Sequence, residues 1–254
     1  FSMHYLQGRY PVLEKKILAK NMVQYVILCP EIAAAAQPGQ FVHILPVGHT
    51  LRRPISLCGI DKEKGTICIV FELKGSGTET LAACNVGDCM DVLGPLGHGF
   101  TLLPDAKRVV LLGGGIGNPP MLPLAQYYQE RATVISGFRS AEFVILQEAF
   151  QDAGAETILC TDNGTVGRHG LVTEPLQELL QTQQIDAVYA CGPKPMLRAI
   201  ANLANTADVF CEVSLEERMG CGIGACLVCA CKLEREGKPV SAHVCKDGPV
   251  FSAK

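Results

Sequence analysis

The chain has 254 residues, 48% of them hydrophobic and 19% charged, with a formal net charge of −3 at pH 7. At about 150 residues per domain this is one large or two modest domains, long enough to bury a core without disulfide staples. The weakly acidic balance, with no run of lysine or arginine, argues against nucleic acid or anionic lipid as the main partner.

Up to about residue 100 the pattern is strand-like. Segments 9–18, 22–29, 40–46, 54–60, 66–73 and 88–93 are rich in Val, Ile, Leu, Phe and Tyr. Gly, Pro, Asn and Asp punctuate them at 38–39, 61–65, 87–88 and 94–95. Six short strands at this spacing predict a small antiparallel β-barrel. One helical interruption is expected at 78–83, with Thr78 as its cap.

After Leu103-Pro104 the rhythm changes. Strand candidates 108–112, 133–138, 156–161, 186–191 and 208–213 alternate with helical stretches 119–130, 142–153, 173–182 and 194–204. That alternation predicts βαβ units and an α/β, doubly wound parallel sheet. A third piece, residues 214–254, is Gly- and Cys-rich with little periodicity. The expected division is therefore 1–102, 103–213 and 214–254.

Thirteen cysteines are present, and eight of them (29, 58, 68, 84, 89, 160, 191 and 211) are scattered. Most sit in apolar surroundings such as Thr66-Ile67-Cys68-Ile69-Val70, where a free thiol behaves as a small buried hydrophobe. No charged-then-apolar segment opens the chain, and Met3 is read as the native start behind two added residues. No apolar run approaches the roughly 18 residues of a membrane span. A reducing cytoplasm is expected, where clustered thiols are more often metal ligands or redox groups than disulfides.

The remaining five cysteines fall within 221–245. Cys221, Cys226 and Cys229 have the spacing Cys-x4-Cys-x2-Cys, with fifteen residues between Cys229 and Cys245. This is the plant-type iron–sulfur spacing. Such a cluster needs four thiolates and main-chain N–H groups aimed at the sulfurs, and Gly220, Gly222 and Gly224 let the backbone approach closely. Alternation leaves Cys231 beside the ligands. Two other uses compete: a four-cysteine zinc site, or a redox-active Cys226-x-x-Cys229 pair. Zinc sites usually bring two short-spaced knuckles and only one is present, whereas a dithiol pair needs neither Cys221 nor Cys245.

Two turns mark a nucleotide site. Arg108 to Leu112 runs into Gly113-Gly114-Gly115-Ile116-Gly117-Asn118-Pro119-Pro120, a Gly-rich strand-to-helix turn able to meet a pyrophosphate. It is not a strict G-x-G-x-x-G, and a packing turn is the competing reading. Cys191-Gly192-Pro193 ends another strand, so both turns are expected to face one crevice. Cys191 is either a nicotinamide contact or a buried structural thiol. Arg139 after the second strand suits a 2′-phosphate, while Glu142 nearby suits an unphosphorylated ribose. In the first half, Arg52-Arg53-Pro54-Ile55-Ser56 supplies an arginine for a phosphate and a hydroxyl for a flavin edge. Gly77-Thr78, opening a helix, offers a second anion contact. By composition alone the Arg-Pro-Ile-Ser segment reads more simply as an edge strand with a solvated arginine.

Taken in order, Arg-Pro-Ile-Ser at 53–56, Gly-Ser-Gly-Thr at 75–78, Gly-Pro-Leu-Gly-His-Gly-Phe at 94–100, Gly-Gly-Gly-Ile-Gly at 113–117 and Cys-Gly-Pro at 191–193 resemble the ferredoxin–NADP reductase superfamily. The Thr161–Gly167 loop is similar to that family's Asp/Gly-rich loop. The ending from Glu216-Glu217-Arg218-Met219-Gly220-Cys221 onward resembles one branch of it, the iron–sulfur, FAD-containing electron-transfer subunits of type B, NAD-dependent dihydroorotate dehydrogenase.

The resemblance covers essentially the whole chain. It implies a flavin barrel at 1–102, an NAD-binding α/β domain at 103–213 and a small [2Fe–2S] domain at 214–254. FAD would be held by Arg53, Pro54, Ile55, Ser56, Val70, Phe71, Glu72, Gly77 and Thr78. Gly113, Gly114, Gly115 and Gly117, with Cys191, Gly192 and Pro193, would frame the NAD site, and Cys221, Cys226, Cys229 and Cys245 would hold the cluster. It also implies an FMN-containing dihydroorotate dehydrogenase catalytic subunit as partner, in a heterotetramer of two of each chain serving pyrimidine synthesis. No residue of this chain is then needed as a general base. Asn118 and Val228 depart from the family's pattern, where Val and Gly are expected. The resemblance favours NAD against the hint from Arg139. A related reductase subunit serving ferredoxin or sulfur reduction, and a zinc-stabilised nucleotide sensor, are the alternatives.

Overall fold

The computed structural model describes residues 5–235 and 237–254, so Met3 lies outside the described residues. By its contacts the chain divides into two units: residues up to Gly99 together with Glu217–Pro249, and Phe100–Glu216 together with Val250–Lys254.

The first unit is built on β1 (Leu6–Ala19), β2 (Met22–Leu28), β3 (Phe41–Leu45), β4 (Arg53–Asp61), β5 (Thr66–Glu72) and β6 (Cys89–Leu96). They close as an antiparallel barrel in the order β1-β2-β5-β4-β3-β6, as the spacing predicts. Alternation sorts each strand into two faces. Val42 and Ile44 of β3, Ile55 and Leu57 of β4, and Ile67, Ile69 and Phe71 of β5 all enter the barrel core. Phe41, His43, Pro54, Ser56 and Val70 therefore share the outer face.

Two short helices accompany the barrel, α1 (Pro30–Ala35) and α2 (Ser76–Ala82). Sequence reading misses α1, whose six residues carry no full amphipathic period. Helix α2 starts two residues before the expected cap. Thr78 stands inside its first turn, with its hydroxyl accepting the N–H groups of Lys74 and Gly75 at 2.9 and 3.2 Å.

The second unit holds β7 (Val109–Gly114), α3 (Leu122–Tyr128), β8 (Ala132–Phe138), α4 (Gln147–Asp152), β9 (Glu156–Thr161), β10 (Arg168–His169), α5 (Thr173–Thr182), β11 (Ala187–Cys191), α6 (Lys194–Thr206) and β12 (Phe210–Ser214). Pairing is parallel from β10 through β12, in the order β10-β9-β8-β7-β11-β12. Beyond these come β13 (Ala230–Arg235), β14 (Lys238–His243), α7 (Val244–Asp247) and β15 (Val250–Ser252).

The expectation set 214–254 apart as a single piece, and the structure distributes it. Strands β13 and β14 form their own antiparallel hairpin, while β15 adds antiparallel to β12 through Val213↔Phe251. Three residues, Val250-Phe251-Ser252, are too short a signal to read as a strand from sequence. The Gly94–Gly99 part of the 94–100 motif has a structural use within the first unit. His98 N–H donates to the Gly248 carbonyl at 2.6 Å, and a Cβ on Gly97 would collide with Pro249 and that same carbonyl.

One polar tie sets the entry to β7. The Asp186 carboxylate accepts the N–H groups of Lys107 and Arg108 at 2.7 and 3.0 Å. The Arg108 and Lys107 N–H groups hold its pKa below the usual carboxylate value. Asp186→Ala should lower the unfolding free energy by about 1 kcal/mol, the modest end for charge-assisted bonds at a solvent-accessible site. The folded pKa is depressed, so the contribution is present above the ordinary value near 3.9 and fades as pH falls below it. Urea unfolding midpoints of wild type and variant should therefore differ at pH 7 and converge at strongly acidic pH.

Candidate functional site

The loop from Gly220 to Cys229 is shaped by its sulfurs. Gly222 and Gly224 take φ of +74° and +80°, a region that L side chains rarely adopt, and these reversals turn consecutive N–H groups inward. Cys221 Sγ accepts the N–H groups of Ile223, Ala225 and Cys226 at 3.5, 3.3 and 3.3 Å. Gly224 N–H donates to Cys245 Sγ at 3.2 Å.

Cys245 is delivered by tertiary structure. Hairpin register pairs Ala230 with His243, and Val244 N–H donates to the Cys229 carbonyl at 3.1 Å. Helix α7 then buries Cys245 with its thiol 3.3 Å from that of Cys229. Cys226 in turn hydrogen-bonds the Cys221 sulfur. The four thiols thus stand as two pairs, Cys221 with Cys226 and Cys229 with Cys245. Among the described residues, no three metal-ligating side chains gather around one point.

Their electrostatics differ. Burial opposes ionisation of Cys221, but the N–H groups of Ile223 and Cys226, the Cys226 thiol and the Ala225 N–H outweigh it and lower the pKa to about 6. Cys245 is pushed up to about 12 by burial and by the Cys229 thiol, against the Gly224 N–H. Val228 is largely exposed, with its side chain against Gly220, so this departure leaves the four thiols in place.

On the barrel, the two neighbouring arginines have separate jobs. Arg52 Nη2 pairs with Asp91 at 2.8 Å, and its Nη1 donates to the His43 carbonyl at 3.0 Å. Arg53 instead lays its guanidinium over Gly77, and its Nη1 donates to the Leu51 carbonyl at 2.7 Å. Pro54 and Ser56 of β4 and Val70 of β5 lie on the outer face. Ile55 and Phe71 do not join them, because both side chains fill the core, Phe71 stacked on Tyr25 at 6.0 Å. Only their main chains remain for a ligand. Glu72 ends β5 paired with Lys74 at 3.0 Å.

In the second unit the two predicted turns meet. Strand β7 lies between β8 and β11, the point where the strand order reverses, and ligands of open α/β sheets bind outside the strand ends there. Gly117 packs on the Cys191 carbonyl and the Gly192 N–H, while Gly114 packs on Pro193 and Met196. Asn118 is fully buried and its Nδ2 donates to the Gly115 carbonyl at 2.9 Å, so this departure ties the turn together. Cys191 is fully buried beside Ser214, and burial followed by the Glu216 charge pushes its thiol well above the ordinary value. It is a neutral thiol and no nucleophile. Arg139 and Glu142 are both exposed after β8.

Sequence reading did not single out His43, which turns out to be fully buried on the barrel's outer face with its ring edge against Gly222. A histidine between Val42 and Ile44 in an apolar strand was the available signal.

Against this geometry the comparisons are specific. Residues 216–254 match a family described as the iron–sulfur cluster binding domain of dihydroorotate dehydrogenase B. The electron transfer subunit of dihydroorotate dehydrogenase B (NAD(+)) from Bacillus caldolyticus is 41% identical over 253 residues, 96% of each chain. The chain belongs to this family of electron transfer subunits. The corresponding subunit from Caldanaerobacter subterraneus subsp. tengcongensis is 44% identical over 220 residues, 85% of each chain. A chain of the NADH-dependent reduced ferredoxin–NADP oxidoreductase superposes with a TM-score of 0.85 at 27% identity, over 97% of this chain and 88% of its own. An Amycolatopsis cytochrome P450 reductase has a TM-score of 0.68 at 22% identity, over 80% and 66% of the two chains, and shows the fold alone.

Two glycines of this electron transfer subunit separate packing from ligand contact. A Cβ at Gly117 would meet rigid backbone at Cys191, so Gly117→Ala should cost about 1–3 kcal/mol in chemical denaturation. At Gly77 the obstacle is the movable tip of Arg53, in a helical position where Ala is intrinsically favoured. Gly77→Ala should therefore leave the unfolding free energy within about 0.5 kcal/mol of wild type.

Proposed function

We propose that this chain is the electron transfer subunit of a dihydroorotate dehydrogenase, delivering to NAD+ the electrons that a partner FMN subunit takes from dihydroorotate. Its resident groups are FAD and a [2Fe–2S] cluster. The observation that carries this reading is the pairing of the four thiols, with N–H groups on the sulfurs of both pairs.

A single zinc ion needs four sulfurs around one point, whereas a two-iron cluster takes one pair of thiolates per iron. When bound, the cluster passes single electrons, flavin exchanges single electrons or a hydride, and NAD accepts a hydride. Cys221 with Cys226, and Cys229 with Cys245, are the proposed ligands, and the N–H groups of Ile223, Gly224, Ala225 and Cys226 offset their negative charge.

The chain's other residues bind and orient. Arg53 over Gly77 is the phosphate contact for FAD, with Ser56 on the outer face available to the flavin edge and Pro54 and Val70 as apolar floor. The main chains of Ile55 and Phe71, with Glu72, Gly77 and Thr78, complete the FAD site. Gly113, Gly114, Gly115 and Gly117 let the NAD pyrophosphate approach the end of β7, and Cys191, Gly192 and Pro193 form the facing wall. Neutral, buried Cys191 supplies a shape there and no proton. No general base is required, because proton abstraction from dihydroorotate belongs to the partner. The complex is read as a heterotetramer of two of each subunit, in the cytoplasm. Among the described residues, no helix is long and apolar enough to cross a membrane.

A second reading, a related subunit that reduces ferredoxin or uses NADP, draws on exposed Arg139 and on the 27%-identical oxidoreductase chain. Comparing NADH with NADPH as reductant separates the two. For the main reading, the purified chain should contain iron, acid-labile sulfide and flavin; zinc without flavin or sulfide would overturn it. Cys226→Ser should lose the cluster and block dihydroorotate-to-NAD transfer in the assembled complex while NADH still reduces bound FAD. Transfer persisting without the cluster would refute the proposed route.

A further inference from the structure

His43 is fully buried, and neither ring nitrogen completes a hydrogen bond of good geometry, although the main chains of Cys221 and Arg52 lie beside the ring. An imidazole carries at least one N–H in either protonation state, and a buried donor left unpaired costs about 1–3 kcal/mol. Native structures rarely leave such a group without a partner, so its place needs a reason.

Its surroundings supply one. The ring edge lies against the cysteine loop: a Cβ on Gly222 would stand 2.5 Å from Nδ1, and the main chain of Cys221 is within reach of the ring. The strand that carries the ring is also clamped. Arg52 donates to the His43 carbonyl at 3.0 Å and to Asp91 at 2.8 Å, clamping β3 against β6. In strand register His43 pairs with Pro54, so it lies between the Arg53–Ser56 flavin segment and the loop that carries Cys221. Burial and the Arg52 charge lower its pKa to about 4.

We propose that His43 is a positioning residue of the iron–sulfur site, donating a ring N–H from the barrel's outer face to a sulfur of the cluster. The loop's own N–H groups serve the sulfurs from one side, and the barrel adds a donor from the other. Gly222 is glycine for this reason as well as for its φ, since any side chain there would displace the ring. The proposal rests on the [2Fe–2S] reading above. It goes beyond that reading by giving the flavin barrel a direct influence on the cluster, because hydrogen bonds to the sulfurs stabilise the reduced, more negative state and raise the reduction potential.

The test uses the full chain carrying its cluster, with iron and sulfide counted for each variant. In EPR-monitored redox titration, His43→Leu should shift the cluster midpoint to lower potential, and His43→Asn, which keeps an N–H near the Nδ1 position, should recover part of the shift. In wild-type protein labelled with 15N-histidine, the reduced cluster should show a hyperfine coupling to a histidine nitrogen that His43→Leu abolishes. A midpoint unchanged in His43→Leu at full iron and sulfide content overturns the proposal, as does absence of that coupling in wild type. If His43→Leu loses its cluster, the wild-type coupling and the His43→Asn midpoint decide. Wild-type chain that takes up neither iron nor sulfide overturns the functional reading, and this proposal with it.

Discussion

Four thiols proposed to ligate one cluster would, as thiolates, repel one another and be poorly solvated, so the loop that carries them must turn its N–H groups toward sulfur. That requirement organises the carboxy-terminal part of the molecule. It explains positive φ at Gly222 and Gly224, and it explains why three N–H groups converge on Cys221. It also demands that a distant segment bring in Cys245. The β13–β14 hairpin and the short α7 do so, with Val244 bonded to Cys229 and Asp247 accepting the His243 N–H at 2.7 Å. The segment's far end is then fixed to the barrel where Gly248 accepts from His98.

The barrel answers a second constraint, one face for the core and one for chemistry. Ile55, Leu57, Ile67, Ile69 and Phe71 fill the inside, which leaves the half-buried Pro54 and Ser56 on the outside. Charge is then divided by position along the chain. Arg52 is consumed in the Asp91 pair that clamps β3 to β6, and Arg53, one residue on, reaches Gly77. In the other unit the same economy of space is met by glycine. Gly114 and Gly117 allow two strand-to-helix turns to touch at the point where strand order reverses.

Much of this was legible in the residues. All six barrel strands and the five main strands of the parallel sheet were predicted within a few residues, because alternation and turn residues are local signals. The cysteine spacing and the two glycine turns located the candidate sites. Less visible were α1, with too few residues for a helical period, and β15, whose three residues become a strand through pairing with β12. The true start of α2 was hidden because Thr78 looks like a cap when its partners at Lys74 and Gly75 are unknown.

By itself, then, the sequence determined the order of elements, the fold class and the set of thiols and glycines on which the proposed chemistry draws. Those depend on residue type and short-range spacing. Tertiary structure decided how the thiols pair, which of two adjacent arginines stays available, that the Phe71 side chain belongs to the core, and that His43 lies under the cysteine loop. Each of these depends on strand register and on contacts between residues far apart in the chain. Such contacts are fixed by the packing of whole faces, and no local pattern encodes them.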